Sequence, residues 1–237
     1  MISIAILAGG LATRLYPITQ MRPKSLIDIA GKPFIFRQLD YLKKKGIQHV
    51  VICVGHLGEM IRAEVGTGEK FGLKIDYSED GPVRLGTGGA IKKAATLLDD
   101  DFFIMYGDSF LPINFSEIEN VYRTIDKRVL LTIIKNDNQW DSSNILYLDG
   151  KLIEYNKLTP SSAMSHLDYG LSVVSKSVFS SYDDDQAFDL GDLYHQLSIR
   201  DELHGHLISD RFYEIGSLVG IQETIALFSN VSNLEQS

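Results

Sequence analysis

The pair Gly9-Gly10, followed by Thr13-Arg14 and then Pro23-Lys24, brings the parts of an anion site into a short span. Glycine permits positive φ and lets backbone N–H groups approach a ligand closely. Clustered N–H groups favour phosphate oxygens, and an arginine adds a bidentate clamp. Lys24 supplies a second cation, ten residues past Arg14. A plain turn explains any one of these features but not their combination. Leu7, Ala8, Gly9, Gly10 and Thr13 are therefore candidate contacts to a phosphorylated ligand, with Arg14 and Lys24 as the charges that act on it.

Two further stretches carry chemistry. Gly107-Asp108 ends the apolar run Phe102 to Tyr106. A carboxylate there either caps the next element or holds a metal, and position alone does not choose. A phosphate loop on another strand end favours the metal, because Mg²⁺ takes one or two carboxylates together with phosphate oxygens. Leu85-Gly86-Thr87-Gly88-Gly89-Ala90 presents bare backbone at a helix start, where amides and carbonyls read a base edge or meet a ribose. Gly86, Thr87 and Gly88 are the candidates, although a glycine-rich helix entry is a weak signal alone. His204 and His206 share a strand face without an evident third ligand, so core or solvated histidines are the expectation. Asp99-Asp100-Asp101 and Asp183-Asp184-Asp185 read as turns or solvated charge.

The elements that must position these residues emerge from periodicity. Met1 to Leu7 is too short for a membrane span and apolar enough for a strand buried on both faces. Lys32-Pro33 opens a helix with Ile35, Leu39 and Leu42 on one face and Gly46 as its stop. Then come a strand at 48–54, a helix at 57–65, a strand at 73–77, a helix from Leu85 and a strand at 102–106. This alternation predicts a mainly parallel sheet covered on both sides. Beyond Asp108 the rhythm changes. A helix at 116–125, a strand at 129–134, a hairpin at 144–155 turning on Asp149-Gly150, and a strand at 168–174 are expected. A helix at 189–199, a short strand at 211–215 and a closing helix at 217–228 complete the order. In open α/β sheets, ligands bind outside the carboxyl ends of the strands, where the glycine loop and Asp108 both lie.

Composition narrows the class. The chain has 237 residues, 44% hydrophobic and 23% charged, which suits one large α/β domain or one domain with a small appendage. A net charge of −8 argues against nucleic acid as a partner, so local cations must hold any phosphate. The single Cys53 excludes an internal disulfide and sits in an apolar strand as a buried, inert thiol. No basic leader or membrane-length run is read, so a cytoplasmic enzyme without a membrane partner is expected.

LAGGLATRLYPITQMRPKSL, residues 7–26, resembles the signature of the sugar-1-phosphate nucleotidylyltransferases, roughly G-G-x-G-T-R-L-x-P-x-T followed by P-K-P. Ala12 stands at a family glycine and Ser25 at a family proline. The resemblance implies a Rossmann-like three-layer α/β/α fold of the nucleotide-diphospho-sugar transferase type, with a mainly parallel mixed sheet. It implies a single domain over 1–237, with a nucleotide-binding half at 1–110 and a sugar-binding half at 111–237. The implied partners are a nucleoside triphosphate and a sugar 1-phosphate, and the implied cofactor is Mg²⁺. Self-association into a homo-oligomer is left open.

In this family the G-D dipeptide holds the metal, which implies that role for Asp108. Phe212-Tyr213-Glu214-Ile215-Gly216-Ser217 is similar to the family's W-x-D-I-G-T, making Glu214 the second metal carboxylate. The resemblance also implies that Lys157 binds the sugar phosphate and that Asp168 and Gly170, in the place of N-A-G, line the sugar pocket. Asn156 and Leu158 depart from the pattern around Lys157. The segment Trp140 to Asn144 departs too. It shapes a sugar pocket, with Asn144 as a polar contact, or Trp140 anchors the hairpin. The short form most resembles heptose-1-phosphate guanylyltransferases, with N-acetylmuramate-1-phosphate uridylyltransferases as the alternative. A dinucleotide oxidoreductase would need G-x-G-x-x-G, which Ala12, Thr13 and Arg14 break. A non-catalytic nucleotide sensor has little use for Lys24, Asp108 and Glu214 together.

Overall fold

The computed structural model describes residues 1–234. The first strand, β1 (Ile4–Leu7), is fully buried at Ile4, Ala5 and Ile6. A ribbon of β2 (Asp28–Ile29) and β3 (Lys32–Pro33) leads into α1 (Phe34–Lys44). Then β4 (His49–Val54), α2 (Gly58–Val65), β5 (Lys74–Glu79), α3 (Gly86–Ala94) and β6 (Asp101–Tyr106) alternate. The expected helix over Lys32-Pro33 is corrected here. Ala30 and Gly31 turn the chain at positive φ, and Pro33 is extended (φ −52°, ψ 137°) in the ribbon. The helix begins only at Phe34, whose N–H donates to the Ile27 carbonyl at 2.9 Å.

β1 pairs in parallel with β4 on one side and β6 on the other, and β5 extends the β4 side. The chain thus steps outward from β1 to β5 and then returns across β1 to β6. The sheet has a topological switch between β1 and β6, where ligands of open α/β sheets bind. Alternating side chains feed two cores. Ile4, Ile6, Val50, Ile52 and Phe103 meet α1 and α2, whereas Ala5, Val51, Cys53, Phe102 and Ile104 meet α3. The three-layer expectation holds.

The second half adds β7 (Ser109–Phe110), α4 (Phe115–Thr124), β8 (Val129–Lys135), β9 (Ile145–Leu148), β10 (Lys151–Tyr155) and β11 (His166–Ser175). It ends with α5 (Leu190–Ile199), β12 (Leu203–Ile208), β13 (Tyr213–Glu214) and α6 (Leu218–Leu234). β11 runs antiparallel to β6 and β8, making the sheet mixed. Its register against β8 shifts between Asp168 and Ser172, where Gly170 takes φ +101°. The two-residue ribbon of β7 with β13 pairs Glu214 with Ser109, directly after Asp108. Neither strand of that ribbon has enough residues for a period to emerge.

The entry of α3 is held by backbone. Gly86 has φ +72°, and a Cβ there would lie 2.5 Å from the Phe188 carbonyl oxygen. Phe188 and Leu85 bond to each other through the backbone at 3.0 Å, so the obstacle does not swing away. Gly86→Ala should therefore lower unfolding stability by roughly 2–4 kcal/mol in urea titration, through positive-φ strain plus overpacking. A loss below about 0.5 kcal/mol would mean that the α3 entry yields.

Candidate active site

The carboxyl ends of β1, β4 and β6 meet backbone to backbone. A Cβ on Gly9 would lie 3.1 Å from the Gly55 nitrogen, and one on Gly55 would lie 2.9 Å from the Gly9 oxygen. A Cβ on Gly107 would lie 2.5 Å from the Leu7 oxygen. Above this floor of bare peptide opens a cavity of about 400 Å³. Leu7, Ala8, Gly9 and Gly10 line it from the first loop, Lys24 from the second, Gly86 and Thr87 from α3, and Asp108 after β6. Four stretches far apart in sequence thus share one space, as their chemistry requires.

Not every candidate lines it. Thr13 and Arg14 lie exposed in a single 3₁₀ turn beyond the loop. Gly88 is buried in helix packing. Its N–H donates to the Phe188 carbonyl at 2.9 Å, and a Cβ there would meet the Phe188 ring at 2.2 Å. Gly88 therefore supports the helix entry while Gly86 and Thr87 face the cavity. The Thr87 hydroxyl also accepts from the Leu190 N–H at 2.8 Å, tying α3 to α5. Ala12 takes the left-handed conformation (φ 51°, ψ 41°) that glycine adopts freely, so the loop keeps its turn despite the methyl group. Ser25 lies in a hydrogen-bonded 3₁₀ turn, so the loop stays ordered without the proline. Its buried hydroxyl has no partner among the described residues.

Lys24 Nζ donates to Asp108 Oδ2 at 2.6 Å. Glu214 is brought to the same place by the β7–β13 ribbon, and Ile215 N–H donates to the Asp108 carbonyl at 2.9 Å. A Cβ on Gly216 would lie 2.6 Å from Glu214 Oε2, 3.1 Å from Lys24 Nζ and 3.7 Å from Asp108 Oδ2, so all three groups converge around it. The Glu214 carboxylate accepts from the Gly216 and Ser217 N–H groups and from the Ser217 hydroxyl at the start of α6. The carboxylates of Asp108 and Glu214 are hard oxygen donors of the kind that Mg²⁺ takes alongside phosphate. The residues present fit such an ion, with Asp108 currently satisfied by the Lys24 ammonium.

The other candidates gather beside β6. Asp168 Oδ1 accepts from the Gly170 N–H at 2.9 Å across the turn at Gly170. Its Oδ2 faces the hydroxyls of Tyr106 and Tyr155 at 3.4 and 3.5 Å. Burial pushes the Asp168 carboxyl up to about 6, against the opposing pull of the Gly170 N–H, Lys157 and the two tyrosines. Asn144 is buried and engaged, its Oδ1 accepting from the Asp168 N–H at 3.2 Å. It positions Asp168 more directly than it faces solvent. Lys157 is exposed after β10. Tyr106 both lines the cavity and faces Asp168, so it joins the two regions.

Five lining residues were not singled out from sequence: Ser25, Asp80, Arg84, Tyr106 and Asp189. Asp80 directly follows β5, Tyr106 ends β6, and Arg84 and Asp189 precede α3 and α5, and that position is the signal that marks these four, whereas Ser25 lies within the 3₁₀ turn at 24–26. The remaining motifs resolve as structure. Trp140 packs on Phe212 with ring centroids 5.6 Å apart, tying its segment to the stretch that leads into β13. Cys53 is buried with its thiol pushed up to about 12 by burial, hence inert. His204 and His206 are partly buried on β12, and no cluster of three metal-binding side chains occurs among the described residues. No helix among those residues is long and apolar enough to cross a membrane.

Comparison with known proteins identifies the family and the fold. A family model described as nucleotidyl transferase matches residues 4–143. A D-glycero-alpha-D-manno-heptose 1-phosphate guanylyltransferase of Campylobacter jejuni is 28% identical over 214 residues, 89% of this chain and 93% of that protein. A glucose-1-phosphate thymidylyltransferase of Streptomyces antibioticus is 38% identical over 135 residues, 55% of this chain and 38% of that protein. Among solved structures, HddC from Yersinia pseudotuberculosis complexed with GMP-PN superposes with a TM-score of 0.79 at 23% identity, covering 96% of this chain and all (100%) of that one. With the family model spanning more than half of its length, this chain belongs to the nucleotidyl transferase family and is a sugar-1-phosphate nucleotidylyltransferase.

Proposed function

We propose that the protein transfers a guanylyl group to a heptose 1-phosphate, releasing pyrophosphate. The observation that carries the reading is the cavity in which the glycine loop, Lys24 and Asp108 meet, with the half-buried Asp168 beside it across Tyr106. The choice of sugar and base rests on similarity to the Campylobacter guanylyltransferase over most of both chains.

In this reading an oxygen of the sugar phosphate attacks the α-phosphorus in line, and the bond to pyrophosphate breaks. Positioning and charge stabilisation do the catalysis, without a covalent intermediate on the protein. The N–H groups of Gly9 and Gly10 hold phosphate oxygens over the glycine floor. Arg14, on its exposed turn, reaches over the β- and γ-phosphates and holds the leaving group. Lys24 exchanges Asp108 for a phosphate oxygen and meets the charge that develops at the α-phosphate. A bound Mg²⁺, held by Asp108 and Glu214, would neutralise phosphate charge. Residues 111–237 supply the sugar contacts. Asp168 accepts from sugar hydroxyls, and Lys157 binds the sugar phosphate as a point charge. A pyrophosphate-release screen crossing four nucleoside triphosphates with several sugar 1-phosphates tests the pair. Faster turnover of glucose or muramate derivatives than of heptose would replace the substrate named here.

Asp108→Asn removes the carboxylate and should cut kcat about a hundredfold or more. Retention of activity within about threefold at saturating Mg²⁺ would take Asp108 out of the catalytic machinery. Lys24→Ala should lower kcat more than it raises KM for nucleotide, because its contact strengthens as charge develops. A rise in KM alone would make Lys24 a ground-state binder.

Asp168→Asn keeps an acceptor for the Gly170 N–H and should raise KM for the sugar phosphate with little change for the nucleotide. It also has a stability signature. The folded carboxyl titrates near 6 and the unfolded one near 3.8, so the fold binds the extra proton between those values. Wild-type stability relative to Asp168→Asn should therefore fall as pH rises from about 4 to 6, by on the order of 2 kcal/mol. Parallel urea titrations at both pH values measure it, and a pH-independent difference would refute the burial argument.

A further inference from the structure

α1 sends one polar side chain into the core. Gln38 lies about one turn past the start of that helix, beside the buried Leu39, and is 2% exposed. Its amide nitrogen donates to the Ser109 carbonyl at 2.8 Å and to the Tyr106 carbonyl at 3.4 Å. Those two carbonyls bracket Gly107-Asp108, so one side chain spans the bend that presents Asp108 to the cavity. Its Oε1 has no hydrogen-bond partner among the described residues. A buried acceptor left unpaired costs the fold, and a methionine or leucine would fill this apolar helix face without that cost. What Gln38 gives in return is its pair of donors at the bend.

The rest of the bend is held through its backbone. Gly107 N–H donates to the Leu7 carbonyl and Ile215 N–H to the Asp108 carbonyl, both at 2.9 Å. The Asp108 carboxylate itself meets the Lys24 ammonium at 2.6 Å and the Ser109 hydroxyl at 3.3 Å. Lys24 is long and flexible, and in the reading above it leaves Asp108 for a phosphate. The Ser109 contact is longer than a firm O–H···O bond. The direction of the carboxylate then depends on how firmly residues 106–109 are held. Gln38 holds both ends of that stretch from a helix whose Phe34, Ile35, Leu39 and Leu42 are buried.

We propose that Gln38 is a positioning residue for the divalent cation, aiming the Asp108 carboxylate by clamping the peptides on either side of it. The inference rests on the reading of Asp108 as a metal carboxylate and adds the residue that sets its direction. Gln38 reaches the bend from beneath the sheet end and touches neither Asp108 Oδ1 nor Oδ2, so its influence runs through the backbone alone. Groups that orient a ligating carboxylate commonly set metal affinity by about tenfold or more. A carboxylate that a rigid helix aims in advance does not have to be ordered when the ion arrives.

The test is titration of Mn²⁺ into the full chain, followed by its EPR signal, which needs neither substrate nor turnover. Gln38→Met keeps the length of the side chain and removes both donors. Gln38→Glu keeps its shape and withdraws at least one donor, so either variant that folds carries the test. Both should bind Mn²⁺ about tenfold more weakly than wild type. In turnover the half-saturating Mg²⁺ concentration should rise by the same factor, with kcat recovering at excess Mg²⁺. Ile61→Ala truncates a fully buried side chain of α2 and serves as the control. It should lose stability in urea and keep wild-type Mn²⁺ affinity, which a general loosening of the fold would not allow. Wild-type affinity in the Gln38 variants, or an equal loss in Ile61→Ala, overturns the proposal. Asp108→Asn, run alongside, should lose the Mn²⁺ site. If it does and the Gln38 variants bind like wild type, this inference falls alone. If Asp108→Asn itself binds like wild type, the metal reading falls and takes the inference with it.

Discussion

Three strand ends lie so close that no side chain fits between them, and the site is built on that closeness. Gly9, Gly55 and Gly107 each face a neighbouring backbone at a distance that a Cβ would violate or strain. The contact is stitched by hydrogen bonds from Ala8 N–H to the Cys53 carbonyl and from Gly107 N–H to the Leu7 carbonyl, both 2.9 Å. The floor is therefore peptide, and a flat ligand can lie against it. Selectivity has to come from the rim, where Lys24, Asp80, Arg84, Asp108 and Asp189 stand. A methyl group at any of the three glycines would push strand ends apart and widen the floor on which the rim is placed.

Charge at the rim is balanced locally. The chain carries a net −8, and three of the five charged lining residues are acidic. An entering polyphosphate would meet Asp108 at close range were the Lys24 ammonium not on it at 2.6 Å. The pair is half-shielded, with side-chain exposures of 18% for Lys24 and 40% for Asp108, so exchanging one partner for a phosphate is cheaper than in a dry core. Glu214 is held apart from that exchange by the N–H groups that open α6, where a carboxylate is favoured by the helix dipole.

The main strands and helices of the first half were legible because each is long enough to show a period, whereas the two-residue ribbon of β2 and β3 was not. The runs at 48–54 and 102–106 become β4 and β6 almost to the residue. The glycine loop that lines the cavity stood out because its residues are contiguous. What escaped was assembled from single residues. Gly55 carries no pattern, and its role exists only because β4 lies next to β1. Asp80 and Asp189 look like turn and cap residues, and Asp189 is indeed the cap of α5, its Oδ1 accepting from Gly191 N–H at 2.7 Å. Gly88 was read as a ligand contact because glycine at a helix entry looks the same whether a base or the Phe188 ring approaches it. The difference lies in a residue a hundred positions later.

In the proposed function the two halves would solve recognition differently, and the energetics say why. Phosphates are alike in every nucleotide, so peptide N–H groups suffice and their sequence signature is strong. Sugars differ hydroxyl by hydroxyl, so side chains must do the reading. Asp168 shows the cost of that arrangement. Its burial lifts the carboxyl to about 6, and the turn at Gly170, with φ +101°, is needed to bring an N–H onto it. Asn144 and the two tyrosines then fix its direction. A carboxylate held this firmly against its own desolvation is pre-organised for a donor that the protein does not supply. With Asp168 reading the sugar as proposed, the departures at Trp140 to Asn144, Asn156 and Leu158 fall where the donor pattern of the sugar varies, while the peptide floor of the cavity has no side chains to change.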